Sequence, residues 1–158
     1  MNRFRVALLA AGLVSSLAAA PAAAEVANGS DALMISGLIG VQSPTVSAAN
    51  KVRLRRLMDG GAASGPAFNV IAAEVTCRSS TVAIGAFSCD LTFGTRTVHV
   101  SGRAAHELMA TLTVAGIEPD GAAGSSYVGA RNMRCRLEPA TLAEHGGGGA
   151  ECNWDPAA

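Results

Sequence analysis

Four cysteines, Cys77, Cys89, Cys135 and Cys152, constrain this chain more than any other feature, because the first two fall on the apolar side of alternating runs. From Val70 to Arg78 the odd positions Ile71, Ala73, Val75 and Cys77 are apolar, while the even ones include Glu74, Thr76 and Arg78. From Phe87 to Phe93, the residues Cys89, Leu91 and Phe93 alternate with Ser88, Asp90 and Thr92. A period of two is the pattern of a half-buried strand, so both cysteines are expected to face inward. Gly94 and Thr95 suit a two-residue hairpin turn with glycine first, which sets the register of a third strand over Arg96–Ser101. Val98 then stands opposite Leu91, and Val100 opposite Cys89.

No C-x-x-C spacing occurs, which argues against a zinc ribbon and against a thioredoxin-like redox pair. Four cysteines allow three pairings. The two local ones, Cys77 with Cys89 and Cys135 with Cys152, are favoured because each staples a hairpin-like segment. In the chain-entropy model, closing loops of that size stabilises a fold by about 3 kcal/mol each. Such support matters here, since the chain has only one Trp, one Tyr and four Phe with which to build a core.

Disulfides persist in oxidising compartments, and the amino end supplies a route to one. Arg3 and Arg5 precede an apolar run from Val6 to Ala20, which closes on Pro21, Ala22, Ala23 and Ala24. A basic start, an apolar middle and small residues before the cut describe a secretory signal peptide over residues 1–24, with Glu25 as the new amino terminus. The run is too short for a membrane anchor, which needs about 20 apolar residues. The mature chain from Glu25 onward has the length of one domain. Residues 25–45 mix small and apolar side chains without a clear period and are expected to form a poorly ordered arm. Residues 46–158 are expected to form a single domain. The leader takes two of the 12 basic residues and none of the 12 acidic ones. The remaining slight negative charge supplies no general attraction for nucleic acid or for an anionic membrane.

Helical spacing appears twice. Val46, Leu54, Leu57 and Met58 share one side, with Lys51, Arg53, Arg55 and Arg56 around the rest and Asp59, Gly60 and Gly61 as a stop. Ala105, Leu108, Met109, Leu112 and Ala115 form a second stripe that ends at Gly116. Strand-like segments come next at Tyr127 to Val128, Met133 to Leu137 and Ala150 to Trp154, with a helical turn near Ala140 to His145 and a glycine tip at Gly146 to Gly149. The expected fold class is α+β: an antiparallel sheet of about five strands with one main helix packed on it, in the order α-βββ-α-ββ, stapled by disulfides.

The hairpin register places Asp90 opposite His99 and Ser88 opposite Ser101, all outward. A serine, a histidine and an aspartate in one patch raise a serine hydrolase alternative. Against it, no nucleophile elbow precedes either serine, and a flat strand face does not exclude water. The plainer reading is a set of cross-strand polar pairs. His106 and Glu107 begin like a zinc-binding H-E-x-x-H helix, but the fifth position is Ala110, so no metal site is expected. The glycines at 121, 124 and 146–149 lack the strand, loop, helix order of a phosphate cradle, and no cofactor is expected. Lys51, Arg53, Arg55 and Arg56 make the densest charge feature and the candidate binding residues, for an acidic partner, an envelope glycan or lipid headgroups.

The run Gly102, Arg103, Ala104, Ala105, His106, Glu107, Leu108, the segment Asp120 to Ser125 and the glycines before Cys152 resemble a group of short exported gram-negative proteins without an assigned activity. The resemblance covers the carboxy-terminal half and implies export and a single domain. The function expected is a small non-enzymatic periplasmic or secreted module that binds or inhibits an envelope protein or glycan. A passive envelope protein is the other alternative. No transmembrane segment is expected in the mature chain.

Overall fold

The alternating runs become strands, and their alternation decides which residues face the helices. The computed structural model describes residues 24–80, 86–121, 125–139 and 149–156. Among them β1 (Glu25–Asn28), β2 (Phe68–Ser80), β3 (Ala86–Phe93), β4 (Arg96–Ser101), β5 (Ser125–Leu137) and β6 (Ala150–Pro156) form one antiparallel sheet, ordered β1-β6-β5-β2-β3-β4. Helices α1 (Gly29–Gly40) and α3 (Arg103–Val114) pack against one face of the sheet and against each other. Helix α2 (Ala48–Met58) packs on α1. The fold is therefore α+β, with one sheet face covered and the other open.

Both local disulfides form. Cys77–Cys89 and Cys135–Cys152 each join direct cross-strand neighbours whose Cα atoms are 4.0 Å apart, as in the close pairs of an antiparallel ladder. The β3–β4 register is the expected one, with Leu91 opposite Val98, Cys89 opposite Val100, Asp90 opposite His99 and Ser88 opposite Ser101. Gly94 takes φ 61 at the turn, where only a residue without a Cβ is unstrained. The stripe of α3 is buried at Ala105, Leu108, Met109 and Leu112 and half-buried at Ala115, and its end is tied down twice: the amide of Gly116 donates to Thr113 O and that of Ile117 to Leu112 O. Those two bonds make a Schellman cap, with buried Ile117 returning to the helix.

Four expectations are corrected. Residues 25–45 are not a loose arm: β1 supplies a sixth strand, beyond the five expected, and α1 buries Ala32, Ile35 and Ile39 completely. Sheet, α2 and α3 surround α1, so it is apolar on several sides and shows no single stripe for a periodic reading to find. Gly40 lets α2 close on it, since a Cβ there would stand 2.5 Å from Leu54 Cδ1 and 3.0 Å from Val70 Cγ2. The second correction concerns the start of α2, which is Ala48 rather than Val46. Ser47 caps it by accepting the Asn50 amide through its hydroxyl.

The third correction is that β2 does not keep its odd residues inward. Val70 and Ala72 are buried, Ile71 and Ala73 are exposed, and only from Val75 and Cys77 do the odd positions point in. Ala73 and Glu74 are consecutive exposed residues, and so are Arg131 and Asn132 in the adjoining strand, where Asn132 has φ 52. Both strands switch faces together, so β2 keeps its register with β5, while β5 against β6 shifts between Arg131 and Arg134. Fourth, the two short segments around Tyr127 and Met133 are one strand, β5, running through that switch. The expected leader up to Ala23, the expected helical turn at Ala140 to His145 and Gly146 to Gly148 lie outside the described residues.

The switch sits at the centre of an internal repeat. Val70, Ala72, Val75, Cys77 and Arg78 in β2 recur at constant spacing as Val128, Ala130, Met133, Cys135 and Arg136 in β5. The pairing obeys the same relation: Cys77 lies opposite Val128 and Val70 opposite Cys135, and likewise Ala72 opposite Met133 and Val75 opposite Ala130. Ala32, Ile35, Ser36 and Ile39 of α1 recur as Ala105, Leu108, Met109 and Leu112 of α3, all buried. The sulfur of Cys152 lies 3.4 Å from Ala32 O, and that of Cys89 lies 3.5 Å from Ala105 O. Being oxidised, these sulfurs carry no proton; the contacts mark equivalent packing. The chain is thus two βαββ units, β1-α1-β2-β3 and β4-α3-β5-β6, related by an approximate two-fold axis through the β2–β5 pair. Each helix lies on the last strand of the other unit, so neither unit closes its core alone.

Candidate functional site

Alternation puts a second set of side chains on the open face, and around β2, β3 and β4 these interact. His99 Nδ1 is 2.9 Å from Asp90 Oδ1 across the β3–β4 pair. Arg78 Nη1 is 3.8 Å from Asp90 Oδ2, and its guanidinium lies over the Tyr127 ring at 5.9 Å from the centroid. Tyr127 is there because β5 pairs with β2 and sets it opposite Arg78. Thr92 and Thr97 share a hydrogen bond of 3.2 Å, and the Thr76 hydroxyl donates to Glu74 Oε1 at 3.2 Å. Thr76, although outward, is buried at the floor of the patch. A shallow hollow of about 270 Å³ is lined by Glu74, Thr76, Arg78, Asp90, Thr92 and Thr97.

The repeat separates what the fold requires from what it does not. Arg78 has its counterpart in Arg136, but Asp90 corresponds to Asn153, His99 to Val26, Thr76 to Arg134 and Tyr127 to Asn69. The buried residues recur while this polar cluster occurs in one half only. Cross-strand pairing needs no ion pair at that place, because the other half pairs β6 with β1 without one.

Of the four residues in the hydrolase alternative, the structure joins two. His99 gives Asp90 the ring nitrogen that a catalytic triad would use. Among the described residues, however, no hydrogen bond links His99 to Ser88 or Ser101. The His99 and Asp90 side chains are 63% and 42% exposed, so water reaches the pair freely. The arrangement suits recognition of a polar surface better than acyl transfer, which depends on donors held in a dry site.

The other candidates fall elsewhere. His106 packs its ring on Phe87 at 4.5 Å between centroids, and Glu107 is engaged by Arg103 Nε at 2.7 Å. That hydrogen bond, then the charge of Glu107, raises the Arg103 pKa above its usual value. No group of three His, Cys, Asp or Glu residues that could hold a metal occurs among the described residues. Gly149 borders an open hollow of about 310 Å³ together with Asn28, Gly29, Arg136 and Glu138, and Arg136 is paired with Glu138 at 2.9 Å. Lys51, Arg53, Arg55 and Arg56 all lie on α2. No helix of the described residues is long and apolar enough to cross a membrane.

Sequence reasoning placed Arg78, Thr92 and Thr97 outward but could not bring Tyr127 to them, since it paired the Cys135 segment with the last strand through Cys152 and did not pair β5 with β2. The recurring V-x-A-x-x-[V/M]-x-C-R pattern was the available signal, because a repeat about an axis aligns β2 with β5. Comparison with protein-family models, curated proteins and solved structures returned no match.

Proposed function

We propose that the chain is an exported, non-enzymatic binding module of the periplasm or the extracellular space, whose partner seats on the open sheet face over β2, β3 and β4. The observation that carries this reading is the one-sided cluster of Arg78, Asp90, His99 and Tyr127, which the repeat does not call for. Its half-exposed charges, aromatic ring and threonine hydroxyls are the groups that make directional contacts at a polar protein interface. Two buried disulfides and a leader-like amino end support export, in keeping with the resemblance to short exported gram-negative proteins. The partner is an envelope protein or glycan.

The test is site-specific photo-crosslinking in cells, with the probe at Thr97 or Thr92 on the open face or at Ala110 on the exposed side of α3. Adducts are expected from the two face positions and not from Ala110, and Arg78→Glu is expected to abolish them. Equal labelling from Ala110, or adducts indifferent to Arg78→Glu, would rule the face out.

A further inference from the structure

Among the described residues helix α2 has no counterpart in the second unit: between α3 and β5 they hold no helix, whereas after α1 the chain first forms α2. An element that the repeat does not need, and that packs on α1 through Leu54 at Gly40 and Met58 at Gly37, has its outer side free for another purpose. That side is basic. Lys51, Arg53, Arg55 and Arg56 lie within one 11-residue helix, and no acidic residue occurs between Asp31 and Asp59.

None of these four forms an ion pair among the described residues, whereas Arg78, Arg103 and Arg136 each lie beside a carboxylate. Arg53 donates to the Asn50 side chain, which leaves its charge uncompensated. Val52 is 56% exposed, and helical geometry puts it with Arg56, one turn on, at the pole opposite Leu54. Arg53 and Arg55 flank that pole.

We propose that α2 docks the protein on an anionic phospholipid surface, with Val52 entering the headgroup boundary and the four basic side chains reaching lipid phosphates. Charge alone would suit any polyanion, but a soluble one offers no apolar phase to receive Val52. A bilayer interface offers both, and long basic side chains favour it because their stems lie along apolar material while their heads stay hydrated. The geometry also fits: α2 lies on the helical side, so a surface-bound molecule holds its open sheet face away from the lipid.

The experiment is co-sedimentation of the form beginning at Glu25 with vesicles of phosphatidylcholine, with and without phosphatidylglycerol. Binding is expected only with phosphatidylglycerol and should fall as salt rises. Arg55→Gln with Arg56→Gln should weaken it about 25-fold, at about fivefold for each basic residue lost near the surface. Val52→Ser should weaken it while leaving the salt dependence unchanged. Arg134→Gln, on the open face, should change nothing. All these side chains are solvent-accessible, and emission from the buried Trp154 verifies that each variant is folded. The proposal is overturned if anionic vesicles fail to bind, if neutralising all four basic residues leaves binding intact, or if Val52→Ser is silent and heparin competes as well as the vesicles do.

Discussion

Trp154 donates its indole N–H to Glu25 Oε2 at 2.7 Å, tying the last described strand to the first residue of β1. Trp154 is 1% exposed and takes the place in the repeat that Leu91 holds in β3. Its N–H is a buried donor, and Glu25 satisfies it with a charge-assisted bond. Glu25→Ala is therefore expected to destabilise the protein by about 1–3 kcal/mol, through an unsatisfied buried donor. Urea denaturation followed by Trp154 fluorescence measures this; a midpoint equal to that of the parent would show that the bond contributes nothing.

Gly37 and Gly40 of α1 should respond differently to a methyl group. At Gly40 the neighbours are Leu54 and Val70, both fully buried. Gly40→Ala is expected to cost about 1–3 kcal/mol by forcing them apart. At Gly37 the neighbour is Met58, half-buried and with a flexible thioether. There the helix-propensity gain of about 1 kcal/mol should offset much of the displacement. Thermal unfolding of the two variants ranks them, and a Gly37→Ala protein less stable than Gly40→Ala would contradict this packing.

Removing either disulfide as a Cys-to-Ala pair should cost about 2–4 kcal/mol, since the bridges close loops with sequence separations of 12 and 17. The two losses should be of similar size, because the repeat gives the bridges equivalent surroundings. Thiol titration of the folded protein should find no free cysteine, and four titratable thiols in a folded sample would contradict both bridges.

By the two-fold relation, β6 and β1 stand to each other as β3 and β4 do across the Gly94–Thr95 turn. A chain in which Pro156 is joined to Ala24 by a short glycine-containing turn, and which is opened between Gly94 and Thr95, should fold with the same two disulfides. Mass spectrometry of the disulfide-linked peptides reads the result. Scrambled bridges or an unfolded circular dichroism spectrum would show that the relation between the units is not structural.

The Asp90–His99 pair should matter little for stability. Both side chains are substantially exposed, and such pairs contribute about 0–1 kcal/mol. Asp90→Asn is expected to leave the unfolding midpoint nearly unchanged while lowering the crosslinking yield at Thr97. A large destabilisation would instead mark the pair as part of the scaffold.

For β3, β4 and α3, local rules in the sequence alone determined the structure. Period-two runs and the Gly94–Thr95 turn specified β3, β4 and their register down to Asp90 facing His99, because a two-residue turn leaves no freedom in which residues pair. The stripe ending at Gly116 specified α3, and hairpin-sized spacing was enough to favour the two disulfides that form. Tertiary structure decided the rest. Only packing on several sides reveals α1 as core, since a helix enclosed all round carries no amphipathic stripe. Only the β2–β5 pairing turns β2 over at Ala73 and Glu74 and brings Tyr127 to Arg78, because that contact joins residues far apart in sequence and no local spacing encodes it.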